Sequence, residues 1–120
     1  MSQMSDQIGD ILESLKAIKG VHGAALIEKL GLIKGSALPG WVDPEAVAAM
    51  VTLILKASQR ATKELEQGQF YSAIIESAKG KILFSEINEN VLVIITTVDA
   101  KLGIINLKLG AATEALKKMI

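Results

Sequence analysis

Gly35 and Gly40 stand at the spacing of the first and last glycines of a nucleotide-binding loop, whose backbone amides would cradle phosphates. That chemistry also needs a lysine and then a serine or threonine directly after the second glycine, and Trp41 and Val42 occupy those places. The segment reads instead as a Pro39-Gly40 loop. His22 is the only histidine, so neither a histidine metal cluster nor a triad built on a second histidine can form within one chain. Its expected place is the surface or a strand edge after the first helix. Cysteine is absent, which removes disulfides, thiol nucleophiles and thiolate metal sites. The carboxylates are scattered: Glu64 and Glu66 fall on the solvated end of a helix, and Glu86 and Glu89 flank a hairpin. Acid/base catalysis needs two carboxyls held in different environments, and no such pair is marked. Arg60 is the only arginine, a residue type that can be donated in trans to a GTPase, although its neighbours Gln59, Thr62 and Lys63 also suit a solvated helix. Trp41, Phe70 and Tyr71 are three of four aromatics and fit either interface anchors or core packing. No catalytic residue, cofactor or metal is assigned.

Charge points away from polyanions. Thirteen lysines and arginines balance thirteen acids, so no basic field collects phosphates and nucleic acid is not an expected partner. Half of the 120 residues are apolar and mean hydropathy is +0.39, more apolar surface than one small core needs. Some of it should face a partner. The longest near-apolar stretch, Ala46 to Leu55, is ten residues, whereas a membrane span needs about 20. The start, Met1 to Asp6, lacks the basic residues and apolar run of a signal peptide, so a reducing cytoplasm is the expected setting.

The elements that must position these residues follow from periodicity. Ile8, Ile11, Leu12, Leu15 and Ile18 recur at helical spacing, with Ser5 or Asp6 as the cap and Gly20 as the stop. Gly23 to Glu28 and Leu32 to Ala37 read as hairpin strands joined by Lys29-Leu30-Gly31. Asp43-Pro44-Glu45 opens a second helix with a capping carboxylate, a proline at the first helical position and an early acid. That helix should run to about Glu66, with Gly68 ending it, on a stripe of Val47, Met50, Val51, Ile54, Ala61 and Leu65 interrupted by Ser58. From Ala46 to Leu55 only Thr52 is polar, so this half should be buried on two sides. Phe70 to Ala78 is the next strand, Lys79-Gly80 a tight turn, Lys81 to Ile87 the return, and Asn88-Glu89-Asn90 another turn. Val91 to Ile95 is a β-branched run suited to a central strand covered on both faces. Leu102, Ile105, Leu109, Ala112, Leu116 and Met119 space a last helix. One domain, residues 1–120, in the order αββαβββα is expected.

This order resembles the roadblock/dynein light chain family of small dimeric regulators and adaptors. The resemblance runs from Ile8 to Leu116. It rests on Gly20-Val21 before a small-residue strand, the hairpin Ala24 to Ile33, the apolar helix after Asp43, the run Val91 to Thr97, and Leu102-Gly103-Ile104-Ile105 leading into the last helix. Lys29-Leu30 in the first turn and Leu38 to Trp41 depart from the family pattern. The resemblance implies an α+β fold: a five-stranded antiparallel sheet with the long middle helix on one face and the two terminal helices on the other. It also implies a homodimer paired through the middle helices and the strand after them. That places Val47, Met50, Val51, Ile54, Leu55, Phe70, Tyr71, Ala73 and Ile75 at the subunit contact. By the same resemblance the dimer is a non-enzymatic regulator or scaffold, an activator in some members, for a small Ras-like GTPase. Lys56, Gln59, Arg60 and Lys63 are the candidate partner contacts. The competing expectation is a structural adaptor presenting a peptide-binding surface within a larger assembly.

Overall fold

A computed structural model describes residues 3–120; Met1 and Ser2, included in the expected domain and in the reading of the chain's start, lie outside the described residues. Among these residues the order is α1 (Gln3–Lys16), β1 (Val21–Glu28), β2 (Ile33–Ala37), α2 (Pro44–Glu64), β3 (Ser72–Glu76), β4 (Gly80–Ile87), β5 (Asn90–Thr97) and α3 (Leu102–Lys117). The strands form one five-stranded antiparallel sheet in the order β2-β1-β5-β4-β3. The expected αββαβββα architecture is the observed one, and β5 is the middle strand.

Alternation along the strands builds two cores. Ala24 and Leu26 of β1, Leu92 and Ile94 of β5, and Leu83 and Ile87 of β4 meet Ile8, Leu12 and Leu15 of α1 and Ile105, Leu109 and Leu116 of α3. The intervening residues Ala25, Ile27, Val91, Val93 and Phe84 point the other way, to Ala48, Val51 and Leu55 of α2. The β-branched run is therefore covered on both faces. Gly35 lies inside β2 opposite Leu26, not in a phosphate loop, and α1 explains why it is glycine. A Cβ there would stand 2.9 Å from Ile8 Cγ2 and 3.1 Å from Leu12 Cδ1.

Several boundaries differ from expectation for physical reasons. α1 already includes Gln3, so Ser5 and Asp6 lie within the helix, where Asp6 favours the helix dipole instead of capping it. The helix ends at Lys16, and Gly20 makes the turn into β1 at φ 91°. The third strand is shorter than Phe70 to Ala78, because pairing with β4 covers only Ser72 to Glu76. Its hairpin closes through Ser77, whose N–H and hydroxyl both donate to the Gly80 carbonyl, at 2.9 Å and 2.7 Å. Gly80 therefore opens β4. Asn90 is the first residue of β5, since Asn88, at φ 54°, and Glu89 complete the turn.

α2 carries the chain from one edge of the sheet to the other, since β2 and β3 lie at opposite edges. Asp43 caps it by accepting from the Glu45 N–H at 3.0 Å, with Pro44 as its first residue. The helix ends at Glu64 on Leu65, and Glu66 adopts φ 57° before Gly68. Its buried seam also departs from the expected stripe: Ala48, Val51 and Leu55 are buried, Ser58, Gln59 and Thr62 continue the seam half-buried, and Ala61 and Leu65 are exposed. The rotation follows from what lies beneath. Below the second half of α2 the sheet presents Glu86, which calls for polar partners.

Candidate partner-binding surface

Glu86 is the electrostatic centre beneath α2. Its side chain is only 10% exposed and takes an ion pair from Lys29 Nζ at 3.0 Å. Gln59 Nε2 donates to its Oε2 at 3.2 Å, and Gln69 Nε2 to its Oε1 at 3.3 Å. Burial pushes the Glu86 carboxyl up, but the hydrogen bonds from Lys29, Gln69 and Gln59, together with the Lys29 charge, outweigh it and hold the group below the usual carboxylate range. This cluster joins α2, the β1–β2 turn and the approach to β3. It fixes the helix on the sheet.

The face of α2 turned away from that seam is also apolar. Ala46, Ala49, Met50, Leu53 and Ala57 fall on it at helical spacing, and all are exposed. Leu53 is 69% exposed and Met50 55%. A helix with one apolar stripe on its own sheet and a second facing water is what the run Ala46 to Leu55 encodes. The second stripe ends in charge at Lys56, Arg60 and Glu64. Arg60 Nε pairs with Glu64 Oε1 at 2.8 Å, both side chains well exposed.

Beside this stripe the sheet is open. α2 packs closest to β1 and β2, leaving Ile82 and Ile95 half-buried on the same face and Ile75 exposed. Between α2 and these strands runs a cleft of about 260 Å³ lined by Trp41, Val47, Met50, Ile54, Ile82 and Phe84, among others. Trp41 is 70% exposed at its rim and packs edge-on against His22, ring centroids 5.5 Å apart. His22 lies in β1, half-buried. β3 pairs only with β4, so its other edge offers free backbone groups, and Tyr71 stands exposed just before it.

The residues expected at a subunit contact thus divide. Met50, Tyr71 and Ile75 are exposed, and Val47, Ile54 and Ala73 are half-buried at the cleft or on β3. Val51, Leu55 and Phe70 are 3%, 5% and 7% exposed; they belong to the chain's own core and support the surface from below. Leu53, the largest exposed apolar side chain of α2, is not among the expected residues. Its signal lay in the all-round apolar character of Ala46 to Leu55, off the stripe that periodicity picked out. Of the expected partner contacts, Lys56, Arg60 and Lys63 are exposed, while Gln59 is turned inward to Glu86. Glu64, Glu66 and Glu89 are exposed, whereas Glu86 is enclosed beneath α2. Among the described residues no group of three His, Cys, Asp or Glu is gathered to hold a metal ion. Among the described residues no helix is long and apolar enough to cross a membrane.

Sheet order and the edge-to-edge helix define the class, an α+β module whose middle helix is apolar on two sides. The chain belongs to the Roadblock/LC7 domain family, whose model matches residues 7–96. Among its relatives, the uncharacterised protein MJ1340 of Methanocaldococcus jannaschii is 34% identical over 112 residues, covering 93% of this chain and 98% of the relative. Among solved structures, Myxococcus xanthus MglB superposes with a TM-score of 0.90 at 21% identity, over 99% of this chain and 91% of MglB. The gliding protein MglB of Thermus thermophilus gives 0.86 at 21% identity, over 99% and 92%. At such identities the likeness to the solved structures is one of fold.

Proposed function

We propose that two copies of the chain associate through the outer stripe of α2 and the free edge of β3, and that the dimer regulates a small Ras-like GTPase in the cytoplasm. The observations that carry the dimer are Met50 and Leu53, exposed on α2, and a β3 edge that pairs with no strand among the described residues. An exposed strand edge bearing Ile74 and Ile75 is an aggregation liability, and joining it to its copy removes the edge. The small residues Ala46, Ala49 and Ala57 let two α2 helices approach closely. The GTPase rests on family membership and on the charged end of the same stripe, where Lys56, Arg60 and Lys63 are exposed.

In this reading the dimer works by binding and the partner supplies the nucleotide chemistry. A regulator must prefer one nucleotide state, since only differential affinity shifts a switch. A preference of about 100-fold, roughly 2.7 kcal/mol, suffices. The test is calorimetric titration of the dimer with the Ras-like GTPases of the same genome, each loaded with GDP or with a non-hydrolysable GTP analogue. State-selective binding that needs both subunits supports the proposal. Equal affinity for the two states rejects the regulator and leaves the adaptor.

A further inference from the structure

The surface opposite α2 carries a feature that pairing through α2 leaves uncovered. α3 buries Ile105, Leu109, Ala112 and Leu116, yet its outer face is not polar: Ile104 is 52% exposed and Leu107 79%, and Val98, in the loop before the helix, is 51% exposed. Lysines lie beside Ile104. Lys19, Lys101 and Lys108 line a cleft of about 470 Å³ with Ile104, where the turn at Gly20 meets the loop Thr97 to Lys101. Lys117 and Lys118 follow at the far end of α3. The acids of α3 and the cleft are Asp99 and Glu114, which pairs with Lys117 at 3.8 Å; α1, packed beside α3 on the same face, adds the exposed Asp6, Asp10 and Glu13. Asp99 accepts from the Thr97 hydroxyl at 2.8 Å. Among the described residues the ion pairs engage Lys29, Arg60, Lys81 and Lys117, and none engages Lys19, Lys101 or Lys108. In a chain of zero net charge, the cleft end of this face therefore holds a positive surplus, three lysines against Asp99.

We infer that the α3 face docks on an anionic lipid surface, with Leu107 and Ile104 entering the headgroup layer and Lys19, Lys101 and Lys108 receiving lipid phosphates. Charge decides the occupant. A second copy laid face to face on α3 would bring Lys108 and its neighbours against their own kind. Single-stranded nucleic acid would ask for aromatic side chains on which bases stack, and α3 has none. Exposed aliphatic groups beside a cluster of lysines match the interface of a membrane bearing negative headgroups, where the stems lie along the acyl boundary and the ammonium groups stay in water. The patch exists in each single copy. In the dimer proposed above, α1 and α3 of both copies emerge on the face of the joined sheet away from α2, so two patches would engage one surface together.

The experiment is co-sedimentation of the protein with vesicles of phosphatidylcholine alone and with vesicles in which phosphatidylglycerol replaces part of it. Recovery with the anionic vesicles only, falling as salt is added, is the expected result. Each lysine near a charged surface contributes about five-fold in partitioning, so Lys101→Ala with Lys108→Ala should lower it about 25-fold. Leu107→Ser should lower it about five-fold by removing the inserted side chain. All three residues are exposed, so circular dichroism and thermal unfolding should be unchanged, and those readings separate lost binding from lost folding. A monomeric α2 variant such as Leu53→Glu should still bind, more weakly, which keeps this inference distinct from the dimer. Equal recovery on neutral vesicles, no recovery on anionic ones, or an unaffected double-lysine variant would each overturn it.

Discussion

Leu53 and Leu55 are neighbours in α2 with opposite expected behaviour. Leu55 is 5% exposed and packs with Val51, Phe70 and Phe84 against the sheet, so Leu55→Ala should cost the single chain about 2 to 5 kcal/mol through a lost contact and a cavity. A charge at Leu55 would unfold the subunit before it separated two of them. Leu53 is 69% exposed, and Leu53→Ala should leave the stability of an isolated chain within about 0.5 kcal/mol. If two copies meet on this stripe, each Leu53 is removed from water once per subunit. A buried leucine contributes about 2 kcal/mol, so the exposed share in two copies amounts to about 3 kcal/mol. That weakens association by about two orders of magnitude. Leu53→Glu, which adds like charges across the two-fold, should leave a folded monomer. Sedimentation equilibrium with parallel urea unfolding measures both quantities. A Leu53→Glu variant that stays dimeric, or a Leu55→Ala variant that dissociates without losing unfolding stability, would refute this division of the helix.

Other substitutions and conditions probe separate parts of the structure. Gly35→Ala should destabilise by about 1 to 3 kcal/mol in thermal unfolding, because its new Cβ forces α1 away at Ile8 and Leu12. Glu86 is held below its usual pKa, so its contribution to stability is present above the unfolded value near 4.5 and is lost as pH falls through the lower folded value. Glu86→Gln should flatten the pH dependence of unfolding below pH 4.5. Arg60→Ala removes only an exposed pair with Glu64 and should change stability by less than about 0.5 kcal/mol. In GTPase assays the same variant should bind modestly less well, and a loss of about 10³ in stimulated turnover with binding intact would instead mark a finger donated in trans.

Much of this architecture is written locally. Asp43-Pro44-Glu45 announces its helix because capping, a fixed φ and the dipole all act within one turn. Val91 to Ile95 announces a two-sided strand because every residue of the run is apolar and most are β-branched. The 3-4 spacing of Ile105, Leu109, Ala112 and Leu116 needs nothing beyond α3 itself. What was not legible depends on residues far apart in the chain. The turn of α2 from Ala61 and Leu65 toward Ser58, Gln59 and Thr62 answers to Glu86, which only the sheet brings beneath it. The ends of β3 are set by how far β4 pairs with it, not by Phe70 or Ala78. The candidate site was half legible for the same reason. Periodicity shows that Ala46 to Leu55 has apolar residues to spare, but which of Val51, Leu53 and Leu55 faces the sheet is decided by its packing. Gln59 looked like a surface residue until Glu86 drew it inward.

The chain contains no cysteine, which permits the most direct test of where two copies meet. Single cysteines placed in turn at Ala49, Leu53 and Ala57 on the outer stripe of α2, with Leu107 on α3 as the reference, are oxidised at low protein concentration. The covalent species are then weighed. A product of twice the 12.7 kDa chain mass is expected from the α2 positions and little from Leu107. Chains that remain single at all three α2 positions, or that cross-link through Leu107 instead, would contradict it.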